Sequence, residues 1–318
     1  MSTCRAVVVP ALGRSPEVRE VDAPSSRPGR ALVRLRAAGL NPVDLAIGAG
    51  RFYMPLPDPP FVAGVEAVGE VLESQAHPVG TRVWCLQVTG CFSEAISVPE
   101  ERLVPVPEGV DDATAAGLGV AGLAGWMPVH ARGGVTAGET VLVIGASGVV
   151  GQVAIQSARA GGAGRIVAAT RSPGGAERAK GSGADVAVAL GGADDAAALR
   201  AACGDGADLV IDTLWGEPIV AALGALSPRA RIVQVGSGAG QTAALPAGPL
   251  RGGRIDIRGF SVFSESDRDR ADSYRDLVEA AGRGEIRLAT ETVPLAEAPD
   301  ACRRLAAGTG GAKLVLVP

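Results

Sequence analysis

The residues best suited to chemistry lie near the middle of the chain, in the stretch VLVIGASGVVGQVAIQSA at 141–158. An apolar run leads into Gly145, Ala146, Ser147, Gly148, Val149, Val150 and Gly151, after which Val150, Val153, Ala154 and Ala158 recur at helical spacing. This is a strand, a glycine turn and a helix. Gly148 lets a backbone approach a pyrophosphate with no Cβ in the way, and Gly151 lets the helix pack closely on the strand. Unsatisfied N–H groups at the helix start then face the phosphates, aided by the helix dipole. The turn reads as a dinucleotide cradle, with a plain tight turn as the bland alternative.

The end of the next strand selects the dinucleotide, because a carboxylate about 20 residues on commonly takes the adenosine ribose of NAD. No Asp or Glu occurs from 152 to 176, and Thr170, Arg171 and Ser172 stand in that place. A guanidinium fork and two hydroxyls suit a 2′-phosphate, so NADP(H) is the expected cofactor. Arg171 as a solvated loop cation is the competing account. Leu214, in DTLWGEP after a later strand, is placed at the adenosine end, with Asp212 and Trp215 beside it.

The elements that position these residues follow from hydrophobic periodicity. From 139 onward TVLVI, RIVAA, VAVAL, DLVID, RIVQVG and DIRGF alternate with helical stretches. Each is apolar nearly throughout, as strands covered on both faces are. Six such units predict an α/β fold with a doubly wound parallel sheet of six strands. Before about 98 the pattern is different, with short strands at 5–9, 31–38, 67–72, 82–86 and 92–98 separated by Pro, Gly, Asp and Ser. Asp111 or Asp112 caps a helix opening the Gly/Ala-rich segment 113–131, which is read as buried interdomain helices rather than a membrane span. A helix at 268–282 is followed by VPLAEAPDACRRLAAG and the strand KLVLV, and this closing segment returns to the first domain. The expected domains are 1–115, completed by 285–318, and 116–284.

Composition narrows the partners. With 318 residues the chain is long enough for two domains. A net charge of -4 offers no broad positive field, so nucleic acid is not an expected partner. The first residues lack a secretory pattern, and five scattered cysteines fit reduced thiols, which together indicate a cytoplasmic protein with no membrane association.

Four stretches carry a family likeness: VRLRAAGLNPVDLAIGAG (33–50), PPFVAGVEAVGEV (59–71), GETVLVIGASGVVGQVAIQSA (138–158) and GGAKLVLVP (310–318). In order and spacing the chain resembles the medium-chain dehydrogenase/reductase superfamily, and within it the zinc-independent NADPH:quinone oxidoreductase group. The resemblance implies a GroES-like β-rich domain, a Rossmann domain, a site in the cleft between them and a homodimer, since dimers are common in the family. It implies hydride transfer from NADPH to a small-molecule quinone or α,β-unsaturated carbonyl. The nicotinamide would be backed by Val235, Gly236 and Ser237 and by Phe260, Ser261 and Val262.

Zinc-dependent members carry Cys where this sequence has Asn41, and His where it has Val65. Only Cys85 and Cys91 stand where a structural zinc lobe needs four cysteines, and His77 and His130 are the only histidines, so no metal is expected. Cys85 and Cys91 are read as small buried apolar residues. In the quinone oxidoreductases the loop matching Asn41 to Asp44 lies beside the nicotinamide. Asn41 and Tyr53 are the catalytic candidates, donating hydrogen bonds to the acceptor oxygen as it gains charge. Against this, Asn41 before Pro42 also suits a plain turn, Tyr53 a half-buried packing position, and Asp44 an anchor for its own loop. Phe52 replaces a common Tyr and Ala124 a common Thr, while Gly175 takes the position of a common Lys. Those departures support an alternative, an NADPH-binding sensor or scaffold without turnover. A zinc alcohol dehydrogenase is disfavoured by Asn41 and Val65. Lys313 is read as a surface cation beside the last strand.

Overall fold

The computed structural model describes residues 3–171, 173–308 and 311–318. The chain divides into two compact units, one of Met1–Val120, Asp267–Gly282 and Leu288–Pro318, the other of Ala121–Ser266 and Arg283–Arg287. The helix at 267–282, expected with the dinucleotide-binding unit, thus groups with the first one.

The first unit begins with β1 (Thr3–Val9), β2 (Glu17–Asp22), β3 (Arg30–Gly39), β4 (Phe61–Val62), β5 (Glu66–Glu73), β6 (Arg82–Leu86), β7 (Ala95–Pro99) and β8 (Leu103–Pro105). The second unit supplies β9 (Thr140–Ile144), β10 (Arg165–Thr170), β11 (Val186–Ala189), β12 (Ala207–Asp212), β13 (Leu226–Gln234) and β14 (Asp256–Gly259). The chain then returns to the first unit with β15 (Thr290–Pro294) and β16 (Lys313–Val317).

In the first unit one sheet runs β2-β1-β4, and a larger one runs β15-β16-β3-β5-β6-β8 with β7 paired to β3. β3 shows why. Ala31, Val33 and Leu35 are buried while Arg34 and Arg36 between them face solvent, the period-2 signature of a half-buried strand. Val33, Leu35, Ala67, Val83, Ile96 and Leu316 meet in one apolar core. Asp111 caps the helix Asp112–Gly117, accepting from Thr114 N at 2.7 Å. The helical path breaks at Gly119, whose ψ is -113°. The helix Asp267–Gly282 is anchored by Tyr274, which stacks on Trp84 with ring centroids 4.4 Å apart and donates to Ala115 O at 3.0 Å.

The second unit is a single six-stranded sheet in the order β11-β10-β9-β12-β13-β14, every pair parallel. Counted within the unit, that is third, second, first, fourth, fifth, sixth. The order reverses at β9, and in open sheets of this kind ligands bind outside the carboxyl ends of the strands at the reversal. Buried Leu142, Ile144, Val167, Val210 and Ile232 show why these strands read as unbroken apolar runs.

Candidate functional site

The glycine turn leaves the carboxyl end of β9, at that reversal. Gly145 has φ +82°, and a Cβ there would strike Thr213 Oγ1 and come within 3.1 Å of Leu214 Cγ. Only glycine fits. Gly145 N and Ala146 N donate to Ala169 O at 3.0 and 3.2 Å, tying the turn to β10. Gly151 lies in the first turn of the helix Val149–Ala160, and its added Cβ would fall 2.5 Å from Gly145 O and 2.6 Å from Ala146 Cα. Its bareness is consumed by helix-on-turn packing.

Gly148 is different. It is the N-cap of that helix with φ -77° and ψ 166°, a conformation open to any residue, and it supplies no side-chain cap. A Cβ there would meet nothing closer than Gly145 O at 3.7 Å, an ordinary contact. Nothing among the described residues demands glycine at 148. The open space beside unsatisfied first-turn amides fits a diphosphate that approaches the backbone itself. Gly145, Ala146, Ser147, Gly148, Val149, Val150 and Gly151 thus form one continuous turn from β9 into the helix, open at Gly148.

At the end of β10, Thr170 is buried with 1% exposure and its carbonyl accepts from Leu190 N at 2.5 Å. Arg171 follows it on the surface, and among the described residues it has no ion pair or hydrogen bond. Ser172 lies outside the described residues. At the end of β12, Asp212 is wholly buried, and its Oδ1 accepts from Leu214 N and Trp215 N, each at 2.9 Å. Burial pushes the Asp212 carboxyl above its ordinary range. This bracket sets the path of Leu214 and holds Trp215 at φ +57°. Val235, Gly236 and Ser237 follow β13, with Val235 N and Gly236 N on Asp212 O. Phe260, Ser261 and Val262 follow β14, where Ser261 Oγ caps a short turn at Phe263 N. All these positions leave carboxyl ends of the same sheet.

In the first unit the sequence reading placed Asn41 and Tyr53 together as hydrogen-bond donors, and the two side chains are in opposite environments. Asn41 is 2% exposed, and Tyr53 is 65% exposed with its ring 4.7 Å from that of Phe52. Tyr53 is thus a surface residue, not a half-buried one. Asn41 Nδ2 donates to Gly39 O at 2.9 Å and to Glu66 Oε1 at 2.8 Å, which uses both of its hydrogens. Asp44 closes a capping box: its Oδ2 accepts from Asn41 N at 2.8 Å, and its Oδ1 reaches Val65 N at 3.0 Å. Its loop-anchoring role is therefore visible directly. Burial pushes the Asp44 carboxyl up to about 7.

Two residues that sequence reasoning passed over complete this cluster. Lys313, expected at the surface, is only 3% exposed: it opens β16, which lies between β15 and β3, and its stem runs beside Gly39 and Gly117. Its Nζ donates to Asn41 Oδ1 at 2.5 Å and Leu40 O at 3.1 Å, and stands 3.8 Å from Glu66 Oε1. Glu66 is wholly buried, and its Oε2 accepts from Trp84 Nε1 at 3.0 Å and Val120 N at 2.7 Å. Burial pushes the Glu66 carboxyl up and the Lys313 ammonium down, while each charge pulls the other back. The one available signal was Glu66 within the run GVEAVGEV, whose other glutamate, Glu70, pairs with Arg34.

Val65 is buried and apolar, and Cys85 and Cys91 are free, buried thiols. Among the described residues no three His, Cys, Asp or Glu side chains gather as a metal site requires. No helix among them is long and apolar enough to cross a membrane.

A β-rich unit and a parallel sheet in this strand order, with its glycine turn at the reversal, define a nicotinamide-dinucleotide dehydrogenase architecture. Residues 27–108 match the alcohol dehydrogenase GroES-like domain family and residues 149–280 the zinc-binding dehydrogenase family. The chain is 30% identical over 315 residues to the quinone oxidoreductase of Pseudomonas aeruginosa, covering 95% of each. It is also 31% identical over 215 residues, 66% of its length, to the phthioceranic/hydroxyphthioceranic acid synthase of Mycobacterium tuberculosis, of which it spans only 10%. The quinone oxidoreductase of Thermus thermophilus, solved also as a complex with NADPH, superposes with a TM-score of 0.83 at 29% identity, covering 99% of this chain and 100% of that one. The chain belongs to the medium-chain dehydrogenase/reductase superfamily, in its quinone oxidoreductase-like group. Relatives in this group include quinone oxidoreductases, one of them solved as a complex with NADPH.

Proposed function

We propose that this protein is a zinc-independent reductase that takes NADPH and delivers hydride to a quinone or an α,β-unsaturated carbonyl. The observation that carries this reading is Gly148, a glycine the fold does not need, together with an Arg171 that has no ion pair or hydrogen bond among the described residues, in a stretch free of carboxylates. The amides of Val149 and Val150, in the first turn of the helix, would hold the diphosphate, and Arg171 the 2′-phosphate. Thr170 and Leu214 would border the adenosine. The turns at Val235 to Ser237 and Phe260 to Val262 would back the nicotinamide.

The bound cofactor supplies the hydride, and the protein supplies alignment and exclusion of water. With hydride delivered to a quinone, one proton completes the hydroquinone; with an enone, hydride goes to the β-carbon and the proton to the α-carbon. Tyr53, at the surface, can donate that proton or relay it from solvent. Asn41, with both amide hydrogens committed inside the protein, acts by holding its turn rather than by touching the acceptor oxygen. Catalytic zinc is not part of this proposal, because an amide whose oxygen already accepts from Lys313 and a buried valine stand where zinc-dependent relatives place ligands. The free cysteines fit a reducing compartment such as the cytoplasm.

The test is to mix purified protein with NADPH and a panel of quinones and enones and follow nicotinamide absorbance. Turnover with any panel member supports the reductase. Tight NADPH binding with no oxidation across the panel would instead favour a sensor, the reading to which Phe52 and Ala124 point.

A further inference from the structure

We infer that Glu66 and Lys313 are positioning residues for the proposed hydride transfer: a buried ion pair that clamps the Asn41 side chain from both ends and so fixes the turn from Gly39 to Asp44. The inference rests on the reductase reading for its functional consequence, although the clamp itself is a property of the fold.

The contacts close on themselves. The Lys313 ammonium donates to Asn41 Oδ1 and Leu40 O, and its charge faces Glu66 Oε1 at 3.8 Å. Asn41 Nδ2 passes one hydrogen on to Glu66 Oε1 and the other to Gly39 O. Glu66 Oε2 is held by the Trp84 indole and the Val120 amide. With a cation on its oxygen and a carboxylate on its nitrogen, the Asn41 amide has one orientation. The backbone of the same residue is pinned separately, by Asp44 Oδ2 on Asn41 N.

Stability does not explain this arrangement. Replacing a buried ion pair by well-packed apolar side chains is often neutral or stabilising, whereas removing one partner is strongly destabilising. The surrounding backbone is nevertheless shaped to admit the charges. A Cβ on Gly39 would fall 2.5 Å from Glu66 Oε1 and 2.7 Å from Ala116 O, and one on Gly119 would land on the Glu66 carboxylate and the Trp84 indole nitrogen. The break at Gly119 is what turns the Val120 amide toward Glu66. Two glycines, an indole and a lysine from four separate segments are committed to one carboxylate and the amide it holds.

The experiment uses the full chain as wild type, Lys313→Met, Glu66→Gln and the double variant. It measures kcat and KM with NADPH and 1,4-naphthoquinone, NADPH affinity by calorimetry, the melting temperature, and the Asn41 side-chain amide resonances in 15N-labelled protein. Lys313→Met should lower kcat about 10- to 100-fold, the scale of a small misplacement of a reacting group, with NADPH affinity held within about twofold. The double variant removes the uncompensated charge and should recover the melting temperature while kcat stays low. Recovery of kcat together with the melting temperature would overturn the inference, since the pair would then act only through stability. The wild-type Asn41 amide protons should exchange slowly and become solvent-labile in the variants. Fast exchange in the wild type would overturn the clamp outright. If wild type shows no turnover but its Asn41 amide is protected and is released in the double variant, the reductase reading fails while the clamp stands. Should Lys313→Met not fold, Glu66→Gln and the double variant carry the same comparison.

Discussion

Gly148→Ala isolates the nucleotide-holding role of the glycine turn from its folding role. The added methyl group would sit 3.7 Å from Gly145 O, and φ -77° with ψ 166° suits alanine, so no clash or strain follows. Alanine is a poorer N-cap than glycine, which costs up to about 1 kcal/mol, and the stiffer unfolded chain returns about 0.4–1 kcal/mol. Net stability should therefore move by less than about 1 kcal/mol. A diphosphate resting on the bare amides would lose one charge-assisted hydrogen bond, or see two lengthened, at about 1.5–3 kcal/mol each. That corresponds to a Kd for NADPH raised about 10- to 100-fold. Gly151→Ala is the contrasting case: its Cβ would meet Gly145 O at 2.5 Å, so about 1–3 kcal/mol of stability is lost through overpacking. Calorimetric titration and thermal melts on both variants give the two quantities separately. Gly148→Ala binding NADPH within about twofold of wild type would refute the cradle.

Further outcomes follow from the same geometry. Arg171→Ala should weaken NADPH binding about 10- to 100-fold and leave NADH binding unchanged, because one charge-assisted contact to the extra phosphate is lost; calorimetry with both nucleotides checks this. Gly119→Ala should unfold or loosen the first unit, since its Cβ would land on the Glu66 carboxylate, and near-ultraviolet circular dichroism of the Trp84–Tyr274 stack reports it. The folded protein holds a proton on Asp44 more tightly than the unfolded chain does, so this group's contribution to stability falls as pH rises from about 4 to about 7. Asp44→Asn should flatten the pH dependence of the denaturation midpoint in that window, by at most about 1.4 kcal/mol per pH unit. Purified protein should contain far less than one zinc per chain and keep its turnover after dialysis against a chelator, as elemental analysis and the reductase assay would show.

The six strands of the parallel sheet were legible because each is apolar nearly throughout, and the glycine turn because its spacing is tied to a local structure. β2 was not legible, since all six of its residues from Glu17 to Asp22 are at least partly exposed and form no apolar stripe. β8 and β15 are short segments that gain their identity from pairing with β6 and β16, which lie far away in the chain or at its end. The same limit hid the charged clamp. Lys313 meets Asn41 across 272 positions and Asn41 meets Glu66 across 25, so no local pattern shows that a lysine before the last strand and a glutamate within an apolar run are partners. The break at Gly119 was hidden too, because the carboxylate that this backbone faces comes from β5 and not from the Gly/Ala-rich segment itself. Asn41 was placed correctly at the head of its turn, but its amide hydrogens could be counted only once their acceptors were known.

The central claim, a reductase that recognises the phosphorylated dinucleotide, is tested most directly by the ratio of kcat/KM for NADPH over NADH with a fixed quinone, in wild type and in Arg171→Glu. The account predicts a wild-type ratio well above one that collapses or inverts in the variant. A wild-type preference for NADH, or a ratio unmoved by the reversal of charge at 171, would contradict it.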